Sequence, residues 1–463
     1  MKTIKVGLLP FYLELYDRCV KDCRVEVERF YELIADQLAK HNIEALRSPV
    51  CRLAPEFSAA IRSFERSGAV AIVTLHLAYS PSLESAQALA RSKLPVIALD
   101  TTPDYDFGPR QSPDRIMYNH GIHGVQDMCN LLLRNKKVFA IEAGHWLKSD
   151  VLARVAARAR GAAMAAAMRS ARVGRLGEPF KGMGDFCVPD RDMAAEIGLK
   201  TVRCDWRELR RLIPAADSPE VAAEMRADRT RFDVKSIDAE LHRRSVQAGL
   251  AVRRWIEAHR LSAFTFNFLA LDSGTGLPTI PFLEASKCMA RGIGYAGEGD
   301  ALTAGLVGAL ASVRPETSFV EMFCPDWKGD SVFLSHMGEF NPDLVCGKAR
   351  MREHRLAFTD IARPAQLVGR FKPGRAVYVD LAPLGKGRYN LIVAPGAMLP
   401  VRGKDTLADT VHGWFRPAMP TADFLAAYSR AGGTHHSALV YGAEPVEIAS
   451  FGECMGWNVI RVE

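Results

Sequence analysis

The sequence has no Cys-x-x-Cys pair among its 10 cysteines, and its two closest, Cys19 and Cys23, would stand one helical turn apart. A reduced, intracellular chain is the simpler reading. Long apolar runs are missing too: none approaches the roughly 18 residues of a membrane span. Met1-Lys2-Thr3-Ile4-Lys5 leads directly into a strand-like Val6-Gly7-Leu8-Leu9-Pro10, so the expectation is a cytoplasmic protein with no membrane partner. There is no dense basic block; 60 Lys plus Arg against 53 Asp plus Glu leave a net charge of +7, which does not imply a nucleic-acid partner. The one Arg-rich stretch, 154–172, is interleaved with Ala156, Ala157, Ala159, Ala162 and Ala163 and reads as a solvated helix face. Internal repeats and low-complexity segments are absent.

What is present is a chain of 463 residues, and at about 150 residues per domain that predicts two to four domains. A peptide hormone, a knottin or a lone binding module is excluded. Charged residues at 24% and apolar ones at 48% match a globular chain able to bury sizeable cores.

In the first third, short apolar runs (4–9, 69–75, 95–99, 138–143) alternate with helical periodicity (25–40, 83–92, 125–134, 149–169). This is the pattern of parallel strands joined by crossover helices. A second such unit starts near 171–177, with strand candidates at 201–204 and 263–269 and a charged helical stretch at 221–260. From about residue 318 short alternating runs (318–323, 331–340, 376–381, 388–393) are broken by Gly, Pro and Asp, an all-β texture. The expected architecture is α/β: two Rossmann-like doubly wound domains, 1–168 and 169–314, followed by a C-terminal antiparallel β-barrel domain, 315–463.

Four segments of the second half carry groups able to do chemistry: Gly297-Glu298-Gly299-Asp300, Phe319-Val320-Glu321, Ser335-His336-Met337 and Gly432-Gly433-Thr434-His435-His436. Each sets a carboxylate or imidazole beside glycines or inside an apolar strand, where backbone can approach a ligand. Glu321 alternates with Phe319 and Phe323, and an inward carboxylate needs a partner; an arginine, or a solvated face, would serve equally. His336 alone reads as a hydrogen-bonded core histidine, and Asp300 as the N-cap of a helix over 301–312. Adjacent residues on a regular element face opposite ways, so one of His435 and His436 at most is expected as a ligand.

In order and spacing these segments resemble the L-arabinose isomerase family, with its Gly-Glu-Gly-Asp, Phe-x-Glu, Ser-His-Met-x-Glu and Gly-Gly-x-His-His motifs. Ser80-Pro81, the Asn119 to His123-Gly124 stretch and Gly144-His145-Trp146 extend the resemblance into the first half. The resemblance implies metal ligands at Glu298, Glu321, His336 and His436, with the two glutamates also acting as acid and base. It implies a sugar site lined by Phe319, Met337, His435 and His123. It also implies Mn2+, or a similar cation such as Co2+ or Mg2+, and a homo-oligomer (trimer or hexamer) whose active site lies near a subunit interface.

Aldose–ketose interconversion needs these groups because a weakly acidic C–H beside a carbonyl must be deprotonated. A divalent cation stabilises the ene-diolate oxygens, and carboxylates shuttle the protons. A carboxylate bound to a cation becomes a poorer base, so one glutamate must act through a free oxygen. The family's Gly-Ser-Gln-x-Leu-Tyr-Gly segment is here Leu9-Pro10-Phe11-Tyr12-Leu13-Glu14-Leu15-Tyr16, and its Trp after Gly-Glu-Gly-Asp is Ala301. Phe-Met-Glu-Asp-Tyr has become Phe319-Val320-Glu321-Met322-Phe323. These departures point to a sugar other than L-arabinose, with Phe11 and Tyr12 favouring a less hydroxylated end. An L-fucose isomerase-like enzyme shares this reading; a noncatalytic carbohydrate-binding or regulatory relative is the alternative.

Overall fold

The computed structural model describes residues 3–20, 23–354 and 359–463. Met1 and Lys2, which open the sequence, lie outside the described residues. The chain divides into two compact units, one of residues 1–166 with 449–454, the other of residues 167–448 with 455–463.

The first unit is built on five parallel strands: β1 (Ile4–Phe11), β2 (Ile43–Arg47), β3 (Ile72–His76), β4 (Val96–Asp100) and β5 (Phe139–Ala143), in the order β2-β1-β3-β4-β5. That is the doubly wound arrangement with a reversal beside β1. β2 carries the mixed burial of an edge strand, which hid it from the sequence pattern. The core gathers Leu9, Phe57, Phe64, Ile72 and Met128. Phe11 and Tyr12, expected to meet substrate, are buried here instead: Phe11 stacks on His76 with ring centroids 4.3 Å apart, and Tyr12 is wholly inaccessible. An apolar strand end that runs into the core is occupied by packing. The helix Val151–Arg169 buries Ala156, Ala157, Ala159 and Ala162, and Arg154 and Arg158 are engaged, not solvated: they clasp the buried Glu142 at 2.7 and 2.8 Å. The segment 449–454 joins this unit through Arg158, which pairs with Glu453 at 2.6 Å and accepts the Ser450 hydroxyl on its carbonyl.

The second unit opens with a parallel sheet of β6 (Arg172–Leu176), β7 (Lys200–Arg203), β8 (Ala263–Phe266) and β9 (Gly294–Ala296), ordered β7-β6-β8-β9. The charged stretch 221–260 is two helices, Pro219–Arg231 and Ala239–Ala258, each N-capped by a side chain, Ser218 and Asp238.

The remaining strands are β10 (Thr317–Asp326), β11 (Ser331–His336), β12 (Arg350–Glu353), β13 (Ala365–Arg370), β14 (Gly374–Pro383), β15 (Tyr389–Met398), β16 (Val411–Pro417), β17 (His436–Tyr441) and β18 (Asn458–Arg461). Six of them close into an antiparallel barrel, β16-β11-β10-β17-β14-β15 and back to β16. Closure leaves no edge within the ring. Val320, Leu334, Tyr378, Ile392, Phe415 and Leu439 belong to its core. β11 stops at His336, shorter than the run to 340 that alternation suggested. The architecture is therefore α/β with two parallel sheets followed by a closed antiparallel barrel. Among the described residues no helix is long and apolar enough to cross a membrane, and no disulfide joins the cysteines.

Candidate metal centre

β10 lies between β11 and β17 and sets the register of the centre: Glu321 is directly opposite His436 on one side and Ser335 on the other. Residues opposed across an antiparallel pair bring their side chains together. His336, ending β11, turns its ring back so that Nε2 is 2.9 Å from Glu321 Oε1, and His436 Nε2 is 3.2 Å from the same oxygen. The strand bulges between Met322 and Cys324, so Phe323 loses the alternation it had with Glu321 and is exposed.

Glu298 arrives from the loop between β9 and the helix Ala301–Ala311. Its backbone takes the left-handed conformation (φ 61°), and its carbonyl accepts from Phe180 N–H at 2.9 Å. Such a conformation is uncommon outside glycine and is held by surrounding structure. At Gly297, a Cβ would come within 3.3 Å of the His336 ring, so the glycine lets backbone and imidazole approach. Glu298 Oε2 then lies 3.8 Å from His436 Nε2 and 3.7 Å from His435 Nε2. His435 and His436 both reach it because His435 precedes β17 and escapes the alternation of a strand. Glu298, His435 and His436 each offer a ligand atom, and these lie within 4.8 Å of one another.

Every imidazole of the cluster is held from behind by a carboxylate. Nδ1 of His435 meets Asp185 Oδ2 at 2.6 Å, Nδ1 of His436 meets Asp300 Oδ2 at 3.0 Å, and Nδ1 of His336 lies against Glu339. Carboxylates so placed are the usual backing of metal-bound histidines: where Nδ1 donates to one, Nε2 would be left to offer its lone pair to a cation. Glu339 is fixed in turn by the Tyr295 hydroxyl at 2.7 Å. Phe186 stacks on His436 with centroids 4.7 Å apart, and Phe319 meets the His336 and His436 rings edge-on.

Burial would raise the Glu321 carboxyl, but the His336 and His436 imidazoles outweigh it and hold Glu321 well below the usual carboxylate range. Burial opposes charge on His436 as well, yet Asp300 and Glu321 push it up to about 9. The donors suit a cation. His436 Nε2 and Glu298 Oε2 are buried, point into the same space and complete no hydrogen bond among the described residues, a state that asks for an explanation. Ligands each about 2.1 Å from an octahedral ion stand about 3.0 Å apart when adjacent and about 4.2 Å when opposite. The separations of 3.2 and 3.8 Å fall in that interval, and 2.9 Å lies just below it.

Of the residues singled out in the sequence, Glu298, Glu321, His336, His435 and His436 converge. Phe319 is fully buried beneath the rings, and Met337 is exposed beside Glu298 and His336. His123 lies in the first unit on the helix Ile122–Arg134, near His120 and Tyr79. Sequence reasoning missed Asp185 and Glu339, and gave Asp300 only its cap, which it does provide through Thr303 N–H at 2.9 Å. Glu339 stood in plain view as the last member of Ser-His-Met-x-Glu.

Farther back, the fully buried Asp380 on β14 fixes the loop before β17, accepting from Thr434 N–H at 3.0 Å and approaching its hydroxyl at 2.7 Å. The same hydroxyl is 2.8 Å from the His436 carbonyl. One hydroxyl proton cannot serve both oxygens; a protonated Asp380 satisfies all three groups.

Doubly wound parallel sheets, a closed six-stranded barrel and a carboxylate–imidazole cluster at the barrel's edge define an α/β protein with a candidate centre for a divalent cation. The family model for the L-arabinose isomerase central domain matches residues 192–315, and that for the L-arabinose isomerase C-terminal domain matches residues 316–458. An L-arabinose isomerase of Herpetosiphon aurantiacus is 26% identical over 374 residues, 76% of this chain and 72% of the relative. One of Thermotoga neapolitana is 27% identical over 379 residues, 79% and 75% respectively, and one of Shewanella sp. strain MR-4 is 26% identical over 356 residues, 74% and 70%. The chain belongs to an L-arabinose isomerase-like family.

Proposed function

We propose that this chain is a divalent-metal-dependent aldose–ketose isomerase of carbohydrate metabolism that acts through an ene-diol on a sugar other than L-arabinose. The observation that carries the reading is the convergence of Glu298, Glu321, His336 and His436, each imidazole backed by its own carboxylate. These four residues would hold Mn2+, or Co2+ or Mg2+, which when bound polarises the sugar carbonyl and stabilises charge developing on its oxygens. Oxygen and nitrogen donors without thiolate favour such an ion over a closed structural zinc site.

The two glutamates divide the proton work. Glu298 Oε2 has no hydrogen-bond partner among the described residues, so it is the oxygen free to take the proton from carbon 2 and return it to carbon 1. Glu321, with Oε1 2.9 and 3.2 Å from the His336 and His436 Nε2 atoms, rests as the anion and would take up, then return, the hydroxyl proton that passes between the sugar's two oxygens. His435, held by Asp185, stands beside Glu298 with its Nε2 3.7 Å from Oε2. The same reading carries a homo-oligomer and a three-part chain, 1–168, 169–314 and 315–463.

Glu298→Gln and Glu321→Gln should each lower kcat by about 10²- to 10⁴-fold with Mn2+ supplied, and proton NMR in deuterated water should show deuterium entering the carbon next to the carbonyl. A near-normal rate in either variant removes that residue from the mechanism. Mn2+ binding without turnover of any aldose leaves a carbohydrate-binding relative.

A further inference from the structure

The three carboxylates behind the imidazoles are not held alike. Asp300 accepts from Thr303 N–H at 2.9 Å, and Asp185 accepts from His435 N–H at 3.0 Å, so a backbone donor fixes each of these. Glu339 has no such donor among the described residues: the one hydrogen bond its carboxylate completes is from the Tyr295 hydroxyl, at 2.7 Å on Oε1. Its Oε2 and His336 Nδ1 lie in contact but complete no hydrogen bond. Charge draws that pair together without fixing its alignment, and the orientation of the carboxylate depends on the phenol.

The backbone around Glu339 is secured separately. Ser286, fully buried on the helix Phe282–Ala290, donates to the Gly338 carbonyl at 3.0 Å and accepts from Phe340 N–H at 3.4 Å. Both chain neighbours of Glu339 are pinned in this way, and rotation of its side chain is the freedom that remains. Tyr295 is wholly inaccessible in the middle of β9, with Phe264, Phe266 and Phe319 around its ring at centroid distances of 5.1, 5.4 and 6.0 Å. Phenylalanine would fill this aromatic cage without bringing a polar atom into it. A buried phenol needs a partner for its hydroxyl, and the partner here is the carboxylate behind His336. Three positions later the same stretch of chain delivers Glu298, so β9 addresses the centre twice: directly through Glu298, and by way of Glu339 through His336.

We infer that Tyr295 is a positioning residue: its hydroxyl holds the Glu339 carboxylate against His336 Nδ1 and thereby aims His336 Nε2 at the place the cation takes. This rests on the metal-dependent reading above.

The test removes the hydroxyl alone, in Tyr295→Phe of the full chain. Mn2+ affinity by calorimetric titration should fall about 10- to 100-fold, the usual loss when the group behind a metal-bound histidine goes, and the visible absorption of the Co2+-loaded chain should shift as the ligand turns. The urea midpoint in chelator should stay near that of the parent chain. Glu339→Gln should lose a similar affinity, and the double variant no more than either alone, because the two residues act as one. Should the midpoint of Tyr295→Phe fall as well, the double variant still decides between one shared loss and two that multiply. A further readout needs no metal: in proton–nitrogen NMR of the chelated protein the His336 ring signals should move in Tyr295→Phe while those of His259 stay in place. If the parent chain binds no Mn2+ yet the His336 signals move, the positioning stands and the metal-dependent reading falls. Unmoved His336 signals, an unchanged Mn2+ affinity and Co2+ absorption where the parent chain binds the ions, or losses that multiply in the double variant overturn the inference.

Discussion

One oxygen of Asp300 caps the helix Ala301–Ala311 through Thr303 N–H while the other holds the His436 ring, and substitution separates the two roles. Asp300→Asn retains a capping oxygen but turns an amide towards Nδ1. It should weaken Mn2+ affinity by about 10- to 100-fold with little change in metal-free stability. Asp300→Ala should lose the same affinity and about 1 kcal/mol of stability besides. Calorimetric titration with Mn2+ and urea unfolding in chelator measure the two quantities. Asp380 supplies a pH signature: burial lifts its carboxyl to about 7 despite the hydrogen bonds from Thr434. The unfolded chain releases that proton near 3.9, so between about pH 4 and 7 the native state binds more protons. Its contribution to stability therefore falls as pH rises through that window and is constant above it. Asp380→Asn should flatten this part of the urea-unfolding profile; an unchanged slope would show an ionised carboxylate in the fold. Glu298, Glu321, His336 and His436 could be picked from the sequence because each sits among glycines or strand-forming residues in a distinctive order. Asp185 could not: the Gly182-Met183-Gly184 stretch before it carries no periodicity, and its partner His435 is 250 positions away.

At the level of elements, the Glu298 loop is placed by the close approach of β9 to the helix that follows it. A Cβ on Gly294 would fall 2.3 Å from both the Ala304 carbonyl oxygen and the Gly308 nitrogen, atoms of backbone that cannot step aside. Gly294→Ala should cost about 1–3 kcal/mol as an overpacking change, read as a lower urea midpoint. Because β9 runs straight into Gly297-Glu298, Mn2+ affinity should fall with it. Alternation and helical period revealed many long elements within two or three residues, but the helices Ala54–Arg66, Thr421–Arg430 and Pro445–Met455 went unread and β15 runs five residues beyond its predicted end. They failed at β2, an edge strand of mixed burial, and at β9, three residues long. They also failed where β11 ends at His336, since Gly338, Glu339 and Phe340 are buried without remaining in a strand.

For the molecule as a whole, two parallel sheets and a barrel were readable because buried parallel strands and barrel strands leave different hydrophobic rhythms. Which strands close the ring was not, since pairing between segments as distant as β11 and β16 is fixed by register and closure. Nor does any local signal show that residues 449–454 belong with 1–166. That return has a consequence in time. A ribosome adding about 5–20 residues per second finishes residue 166 on the order of 15–60 s before it reaches 449. Throughout that interval the nascent amino-terminal unit lacks the Glu453 carboxylate that pairs with Arg158, so its assembly waits until residues 449–454 have been made.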